Sequence, residues 1–343
     1  MFSTPTVVGS LVYIGSCAGV FYALDKHTGQ VRWSYNIHND GDQTSFHGNP
    51  LVTQDMIIIG TDGEGVGHVY AFERETGRVV WKFKVTDGDS FGRRGVATDI
   101  LRLADRVYGV TLDDRLLCLD LLTGRLNWSF QKPYSNAQPS WSQSPAVVDG
   151  KLYFGALNGT LYKLNPGNGE VIWSRELGAR ISTSPAPVAR DIFVGAVDRR
   201  LYRLSQTNGE VLASIELQNI PVGSLVLGDQ FILAVLNAGG SASGSEPLIC
   251  IDPASGKILW SQHSEKEWSM REPLVWRKTV LAGDESGRLF AYRIADGKTE
   301  WTRQFPGMIR SIGSDGDTLF IGTLSGTVYA YVVPPHRARQ DSY

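Results

Sequence analysis

The residue types that could perform catalysis are few in this chain, and their spacing fits no catalytic site. Its three cysteines, Cys17, Cys118 and Cys250, stand far apart, which excludes a disulfide framework and the C-x-x-C pattern of a zinc or redox site. The last two lie in apolar strand patterns, so we interpret them as small buried hydrophobic residues. The stretch GSASG (240–244) matches the G-x-S-x-G motif of serine hydrolases, but it belongs to a loop of small residues and not to a strand-to-helix turn.

Metal, nucleic-acid and membrane binding have equally little support in the sequence. The DGD sequences at 87–89 and 315–317 begin like calcium loops, but neither continues into a complete loop. The six histidines are scattered, without the spacing of metal ligands. A net charge of −2 gives no reason to expect nucleic acid or an anionic membrane as partner. No apolar run approaches the roughly 20 residues of a membrane span, so we expect no transmembrane segment.

What the sequence does contain is an internal repeat. An apolar run that ends in a small residue is followed by a turn and a second apolar run, and this pair occurs eight times. Seven copies continue into a turn with glycine, at Gly29, Gly77, Gly124, Gly169, Gly209, Gly256 and Gly297, 40 to 48 residues apart. Six of them have a tryptophan four positions later, namely Trp33, Trp81, Trp128, Trp173, Trp260 and Trp301, and the fifth has Ala213 there.

The repeat predicts an all-β fold. The apolar runs alternate with a period of two, which excludes helical repeats, and the glycine turns between them predict hairpins. A fourth strand precedes each pair and often starts with serine and proline, as in TSPAPV (183–188). One such sheet buries its faces only by stacking on its neighbours, and a four-stranded unit of about 40 to 50 residues is a β-propeller blade. We call the strands of a blade A, B, C and D from the central channel outward.

The sequence thus predicts an eight-bladed β-propeller of four-stranded antiparallel blades, formed by residues 1–333 as a single domain. The remaining residues, 334–343, have no strand pattern, and we expect them to be a disordered tail. The eighth unit ends at TVYAYVVPP (327–335) without a D strand. Either the last blade has three strands, or the natural polypeptide begins upstream of Met1, and we expect the second.

The G-x-x-x-W turn and strand, with runs such as LVYIGS (11–16) and VFYALD (20–25), resemble the repeat of the pyrroloquinoline-quinone (PQQ) type propellers. The resemblance extends from Phe2 to about Val333, and the signatures of WD40 repeats are absent from the sequence. In this family the repeat tryptophan docks between neighbouring blades, which implies that role for the six tryptophans above and a looser contact at Ala213. The family includes quinoprotein alcohol dehydrogenases and also a non-enzymatic lipoprotein of the outer-membrane assembly machinery, and the chain resembles the latter branch.

The resemblance leaves catalysis open, and the residues argue against it. Quinoprotein enzymes of this family need a cofactor clamp, a calcium or similar ion and a catalytic carboxylate, and the alcohol dehydrogenases place two adjacent cysteines over the cofactor. The sequence contains no adjacent cysteines and no C-x-x-C-H haem motif. We therefore expect a non-catalytic binding scaffold without PQQ or calcium. A PQQ-dependent alcohol or sugar dehydrogenase is the alternative.

Binding on a regular propeller is expected where the loops vary in length. The C-to-D turns are short and uniform, whereas several D-to-A and B-to-C loops are long, and all of these lie on one face, which we call the loop face. Alignment of the A strands places a polar ring there, at the mouth of the channel. Its candidate binding residues are His47, Arg93, Arg94, Trp141, Gln143, Trp268, Arg271, Glu272 and Arg310. Arginine suits carboxylate or phosphate, and exposed tryptophan and arginine are common interface anchors.

We expect a protein or peptide as the partner at this mouth, bound by a monomer. A glycan or small-molecule sensor is a further alternative, because Trp141 and Trp268 could stack on sugar rings. The resemblance implies a periplasmic or extracellular location. No leader is visible at the start of the sequence, so a cytoplasmic location stays an alternative.

Overall fold

Antiparallel β-sheets build nearly all of the structure, a computed structural model that describes residues 3–86, 88, 92–132, 143–228, 230–237, 247–266, 268–270 and 272–334. The strands of the first half are β1 (Thr6–Val8), β2 (Leu11–Gly15), β3 (Val20–Asp25), β4 (Val31–Asn36), β5 (Gln43–Ser45), β6 (Leu51–Val52), β7 (Met56–Gly60), β8 (Asp62–Glu64), β9 (Gly67–Glu73), β10 (Val79–Val85), β11 (Arg93–Gly95), β12 (Leu101–Leu103), β13 (Arg106–Val110), β14 (Leu116–Asp120), β15 (Leu126–Phe130), β16 (Ala146–Val148), β17 (Lys151–Gly155), β18 (Thr160–Leu164) and β19 (Val171–Glu176).

The second half continues the same alternation of short strands and turns. Its strands are β20 (Thr183–Ser184), β21 (Ala186–Val188), β22 (Asp191–Ala196), β23 (Arg200–Ser205), β24 (Val211–Glu216), β25 (Ile220–Gly228), β26 (Phe231–Asn237), β27 (Leu248–Ile251), β28 (Ile258–Gln262), β29 (Leu274–Trp276), β30 (Thr279–Gly283), β31 (Arg288–Arg293), β32 (Thr299–Gln304), β33 (Ile309–Asp315), β34 (Thr318–Thr323) and β35 (Val328–Val332). A 3₁₀ helix covers Ile37–Asp40. Within the described residues, no helix has the length and apolar character needed to cross a membrane. Apart from Pro334, the tail predicted at 334–343 lies outside the described residues.

The sheets confirm an eight-bladed propeller. Seven sheets place four strands in the order A, B, C, D, which are β1 to β4, then β6, β7, β9 and β10, and then β12 to β15, β16 to β19, β21 to β24, β25 to β28 and β29 to β32. The eighth sheet contains only β33, β34 and β35, so this blade has no D strand among the described residues, as the sequence predicts. The short β20 runs parallel to β25 and adds to blade 6.

Burial along the strands follows from the stacking of the blades. The B strands β2 and β7 are buried at every residue, because a neighbouring blade covers each face of their sheets. The D strand β4 exposes four of its six residues and buries the ring of Trp33. Apolar B and C strands therefore form the buried middle of each blade, and the D strands form the outer wall of the ring.

The repeat tryptophans reach from six of the seven described D strands to the next blade. The indole N–H of Trp33 donates to the carbonyl of Arg74 at 3.0 Å, and the indole of Trp81 donates to Leu121 at 3.1 Å. Three further indoles make the same bond, from Trp128 to Pro166, from Trp173 to Gln206 and from Trp260 to Ile294. The sixth, Trp301, contacts the ring of Tyr331 in blade 8, with ring centroids 6.2 Å apart.

The junction between blades 5 and 6, where Ala213 replaces the tryptophan, is held by an arginine. Arg203 stands opposite Ala213 on the neighbouring C strand. Its guanidinium donates to the carbonyls of Pro253 at 3.3 Å and Ala254 at 3.2 Å, both in blade 6, and it forms an ion pair with Asp191 at 2.5 Å. A polar contact thus stands where the sequence predicts only a looser apolar one.

Hydrogen bonds also join the innermost strands around the channel. The backbone N–H of Thr4 donates to the side-chain oxygen of Asn49 at 2.7 Å, and the N–H of Asn49 donates to Asp99 at 2.7 Å. The N–H of Asp99 in turn donates to the hydroxyl of Ser144 at 3.1 Å. These bonds link blades 1 to 4 at the channel wall.

Blade 8 meets blade 1 through polar contacts. The hydroxyl of Ser311 donates to the carbonyl of Ser3 at 3.0 Å near the channel. Farther out, the ammonium of Lys26 lies 2.7 Å from the carboxylate of Asp315. The ring of blades is therefore closed at its inner strands although blade 8 has no described D strand.

Two turn glycines provide a matched test of the docking contact. Gly77 and Gly29 have nearly the same φ, 72° and 71°, so the backbone strain of an added Cβ is the same at both. A Cβ at Gly77 would lie 2.3 Å from the ring of Trp33, whereas one at Gly29 would meet nothing within 4 Å. We expect Gly77→Ala to lower the free energy of unfolding by about 1–3 kcal/mol more than Gly29→Ala, measured by urea unfolding. An equal loss for both variants would contradict the docking contact.

Candidate binding site at the channel mouth

The central channel contains a cavity of about 850 Å³ that opens between the inner strands of several blades. Five of the residues predicted from the sequence line it, namely His47, Gln143, Trp268, Glu272 and Arg310. Trp141 and Arg271 lie outside the described residues. The structure thus brings part of the predicted ring together around one cavity.

Three charged residues of the cavity lining, Asp99, Arg180 and Glu285, were missed by the sequence reasoning. Arg180 and Asp99 both line it, Arg180 from the loop before blade 5 and Asp99 from the start of the A strand of blade 3. The available signal for Asp99 was its residue type, because the other A strands start with small residues and prolines where this one has a carboxylate. Arg180 carried no comparable signal, because its loop is short and follows no motif.

Arg93 and Arg94 belong to a small extra sheet and are not part of the cavity lining. Three loops of the loop face contribute one strand each, in the order β11, β8, β5. The guanidinium of Arg94 donates to the carbonyl of Thr86 at 2.8 Å and to that of Gly65 at 2.9 Å, so it holds two of these loops together. Arg93 stands opposite Glu64 in the register of β11 and β8.

A buried polar network fixes the first of these loops to blades 1 and 2. The carboxylate of Asp40 accepts hydrogen bonds from Tyr35, from Tyr70 at 3.0 Å and from Lys82 at 2.7 Å. The amide of Gln43 in β5 donates to the hydroxyl of Tyr70 at 2.7 Å. Burial alone would raise the pKa of Asp40, but these hydrogen bonds outweigh it and hold that pKa below its usual value. The carboxylate therefore stays ionised and keeps the loop in place.

His47 is held at the edge of the cavity by a buried carboxylate. Its Nδ1 lies 2.8 Å from Oδ1 of Asp62, and the hydroxyl of Ser45 donates to the same oxygen at 3.0 Å. Asp62 is 4% exposed and belongs to β8 of the extra sheet. The extra sheet and the cavity wall are thus connected through one histidine.

The cavity combines acidic and basic groups. The carboxyl of Glu272 is open to the channel but surrounded by protein, and burial together with the nearby Asp99 raises its pKa to about 7. Burial also raises the pKa of Asp99, although the hydrogen bonds from Asn49 oppose this. Arg180 and Arg310 add positive charge to the same lining.

Trp268 lines the cavity, but it is not the exposed residue that the sequence predicts. It is 5% exposed and packs edge-to-face against Phe290 and Tyr292, with ring centroids 5.4 and 6.2 Å away. Its indole N–H has no hydrogen-bond partner in the described part of the chain. The covered ring has no free face on which a sugar could stack, which removes one of the two residues proposed for glycan binding.

Two of the three cysteines are buried and are poor nucleophiles. Cys118 and Cys250 are both buried in C strands, and burial raises the pKa of Cys118 and raises that of Cys250 to about 12. Both thiols are therefore protonated at neutral pH. The described residues also contain no group of three or more histidine, cysteine, aspartate or glutamate side chains that could hold a metal ion.

Comparison with known proteins identifies the family. The family model described as outer membrane protein assembly factor BamB matches residues 2–132 and 112–333, which together span nearly the whole chain. The chain belongs to the BamB family. The BamB of Yersinia pestis is 24% identical over 334 residues, which cover 95% of this chain and 70% of that protein. The BamB of Moranella endobia is 20% identical over 336 residues, with coverage of 95% and 71%.

Solved structures share the fold of this BamB-family chain. The crystal structure of BamB from Moraxella catarrhalis superposes with a TM-score of 0.77 at 17% identity and covers 96% of both chains. A europium-containing methanol dehydrogenase superposes with a TM-score of 0.70 at 14% identity, over 93% of this chain and 81% of that one. At such identities the superpositions show a shared propeller fold and carry no information on catalysis.

The raised pKa of Glu272 predicts a pH-dependent stability. Because its pKa is about 7 in the folded chain and 4.5 ordinarily, folding favours the protonated form. The contribution of Glu272 to the free energy of unfolding is therefore greatest below pH 4.5 and is lost as the pH rises through 7. We expect Glu272→Gln to reduce the fall in melting temperature between pH 5 and pH 8. Glu285→Gln, a change at another residue of the cavity, is the control and should keep the original fall; the same fall in both variants would contradict the assignment.

Proposed function

We propose that this chain is a non-catalytic scaffold that binds protein during outer-membrane protein assembly, through its loop face and channel mouth. A role in outer-membrane protein assembly is supported by the family, because relatives whose alignments cover 95% of this chain are outer membrane protein assembly factors. The site is supported chiefly by the charged cavity of about 850 Å³, which opens beside the extra sheet.

The chemistry of the lining favours a polypeptide partner. Arg180 and Arg310 present guanidinium groups that suit carboxylates, while Asp99 and Glu272 suit basic or amide groups. Such mixed polar groups give orientation and selectivity to a bound loop, and they fit a protein interface better than they fit one small apolar ligand. The residues proposed from the sequence for this mouth, His47, Trp141, Gln143, Trp268, Arg271, Glu272 and Arg310, stay part of the proposal.

The extra sheet widens the proposed surface. It is assembled from loops of blades 1 and 2 and fixed by Asp40 and Arg94, so it needs no rearrangement to meet a partner. Preorganised loops lose less conformational entropy on binding than free ones do. Arg93, which lies in β11, is the arginine that we assign to this part of the surface.

We also propose that the chain binds without PQQ or calcium and works in the periplasm at the outer membrane. The sequence has no adjacent cysteine pair, and the residues around the cavity that the structure describes form no cluster of metal ligands. The location is supported by the relatives, which are outer membrane protein assembly factors. A thermal-shift titration with PQQ and calcium tests the first part, and stabilisation by micromolar cofactor would contradict it.

Charge reversal in the cavity should abolish function in the cell. We expect deletion of the gene to lower the amount of outer-membrane proteins, and the original gene to restore it. The double variant Arg180→Glu with Arg310→Glu should fail to restore it, because both cavity guanidiniums are lost. Arg125→Glu, in an exposed C-to-D turn on the opposite face, is the control and should restore it fully. Restoration by a folded double variant would contradict the proposed site.

Photo-crosslinking should distinguish the two faces of the propeller. Glu285 lies in an exposed B-to-C loop and lines the cavity, whereas Leu122, 68% exposed, lies in a C-to-D turn on the opposite face. A photoreactive amino acid at 285 should give a discrete protein adduct in cells, and the same group at 122 should give none. Equal adducts from both positions would show that contact is unselective and would count against the loop face.

A further inference from the structure

The channel cavity is polar on one side and partly apolar on the other. From blades 1 to 4 the described lining residues are polar with one exception, Ala97. Blades 6 and 7 contribute an apolar wall, which consists of Val222, Val226, Val235, Trp268 and Val275. These five residues belong to one apolar cluster between the two blades. A ligand in the cavity therefore meets polar partners on one side and a hydrocarbon surface on the other.

A bulge in the A strand of blade 6 forms part of the apolar wall. In β25, Val222 pairs with Val235, and the next pair joins Val226 to Leu233. Three residues of β25 therefore stand opposite one residue of β26, next to the channel. Val222 and Val226, at the two ends of the bulge, line the cavity and are only half-buried. Bulges re-aim side chains in this way and are common beside binding sites.

The apolar wall also contains a hydrogen-bond donor without an acceptor. Trp268 is 5% exposed, and its indole N–H has no partner in the part of the chain that the structure describes. Buried polar groups without a partner are rare in folded proteins, because the lost contact with water is not replaced. The N–H of Trp268 is therefore suited to an acceptor oxygen that a ligand would bring into the cavity.

Arg180 reaches the cavity beside the apolar wall. Two residues after it, the hydroxyl of Ser182 donates to the carbonyl of Pro221 at 2.7 Å. The short β20 then runs parallel to β25. These contacts fix the segment of Arg180 along the bulged strand of blade 6, and Arg180 lines the cavity there.

Arg310 reaches the cavity from the other side of the apolar wall. The hydroxyl of Ser269, next to Trp268, donates to the carbonyl of Ile309, next to Arg310. This bond joins the loop before blade 7 to the first strand of blade 8. Two guanidinium groups thus approach the apolar wall from neighbouring blades, and guanidinium and N–H donors together suit a carboxylate.

The acidic residues of the cavity leave room for an anion at this wall. Asp99 belongs to the polar side, where its carboxylate accepts a hydrogen bond from the N–H of Asn49 at 2.7 Å. Glu285 is exposed, so water and salt screen its charge. Glu272 stands at the start of blade 7, and burial raises its pKa to about 7, which leaves it partly protonated at neutral pH.

We propose that the cavity binds a carboxylate attached to an apolar group, with the apolar group against the wall of blades 6 and 7 and a carboxylate oxygen on the indole N–H of Trp268. Arg180 and Arg310 supply the compensating charge. This chemistry occurs at the C-terminus of a polypeptide that ends in an apolar residue, and also in small apolar acids. The proposal rests on the binding role proposed above for the channel mouth and names the chemistry that the site selects.

Three probes that share a phenyl group test the choice of charge. Phenylpropionate, phenylpropionamide and phenylpropylamine are titrated into the 343-residue chain and followed by NMR. The carboxylate should bind with a dissociation constant on the order of 1 mM or lower, and about tenfold more tightly than the amide. It should also shift the indole N–H signal of Trp268. Equal binding of the three probes, or tightest binding of the amine, would overturn the proposal.

A matched pair of tryptophan variants locates the contact. Trp268→Phe keeps a ring against Phe290 but removes the N–H, and it should weaken phenylpropionate binding about tenfold. Trp276→Phe is the control, because that indole donates to the carbonyl of Gly316 at 3.0 Å and does not line the cavity. It should leave binding unchanged. Melting temperatures check that both variants fold, and unchanged binding by folded Trp268→Phe would contradict the assigned donor.

An arginine variant tests the charge without changing the apolar cluster. Arg310→Gln should weaken binding of phenylpropionate about tenfold but leave that of phenylpropionamide unchanged. Arg303→Gln, on the outer D strand of blade 7, is the control and should change neither. An equal loss for the acid and the amide in Arg310→Gln would show that the arginine shapes the cavity and does not pair with the carboxylate.

A pair of peptides distinguishes the two sources of the carboxylate. The peptide GSGF with a free C-terminus should bind more tightly than the same peptide with a C-terminal amide. Binding of phenylpropionate without binding of either peptide would assign the site to small acids. These titrations use purified protein and no assembly partner, so absent probe binding overturns the carboxylate site alone, whereas failure of the gene-restoration test overturns the assembly role alone.

Discussion

The contact between a D-strand tryptophan and the turn of the next blade is the interaction on which the ring of blades depends. It joins apolar burial to one directional hydrogen bond, and it requires glycine on the receiving side because the indole ring occupies the place of a Cβ. A sheet of this kind buries its faces only through its neighbours, so each junction stabilises two blades at once. Where the tryptophan is absent, at Ala213, the guanidinium of Arg203 reaches the same group of carbonyls and supplies a polar substitute.

The parts of the structure that could be predicted are those that local sequence patterns specify. Alternating apolar runs, turn glycines and the tryptophan four positions later specify strands, hairpins and blades, and their count of eight units with seven D strands matches the described sheets. The extra sheet could not be predicted, because β5, β8 and β11 have three residues each and come from separate loops. The role of Arg203 could not be predicted for a similar reason, since it depends on the residue across the strand and on carbonyls about 50 residues later.

The candidate site could be predicted only where it follows the repeat. His47, Gln143, Glu272 and Arg310 line the cavity because the alignment of A strands places them at the channel. Trp268 shares that alignment, but its ring turns into the core against Phe290, a contact that no spacing rule describes. The charge of Arg94 suggests a binding residue, but its guanidinium donates hydrogen bonds to backbone carbonyls of two loops. The repeat thus predicts position along the channel, whereas the exposure of a side chain depends on packing between distant segments.

Closure of the ring follows from the same constraint. Seven junctions combine contacts of inner and outer strands, whereas the junction of blades 8 and 1 relies on the inner strands and on the Lys26–Asp315 pair. Surface ion pairs contribute little to stability, on the order of 0–1 kcal/mol, and the described residues place no docked indole at this junction. Among the described strands, β35 is the C strand that pairs on one side only, so we expect local opening of the ring to begin there.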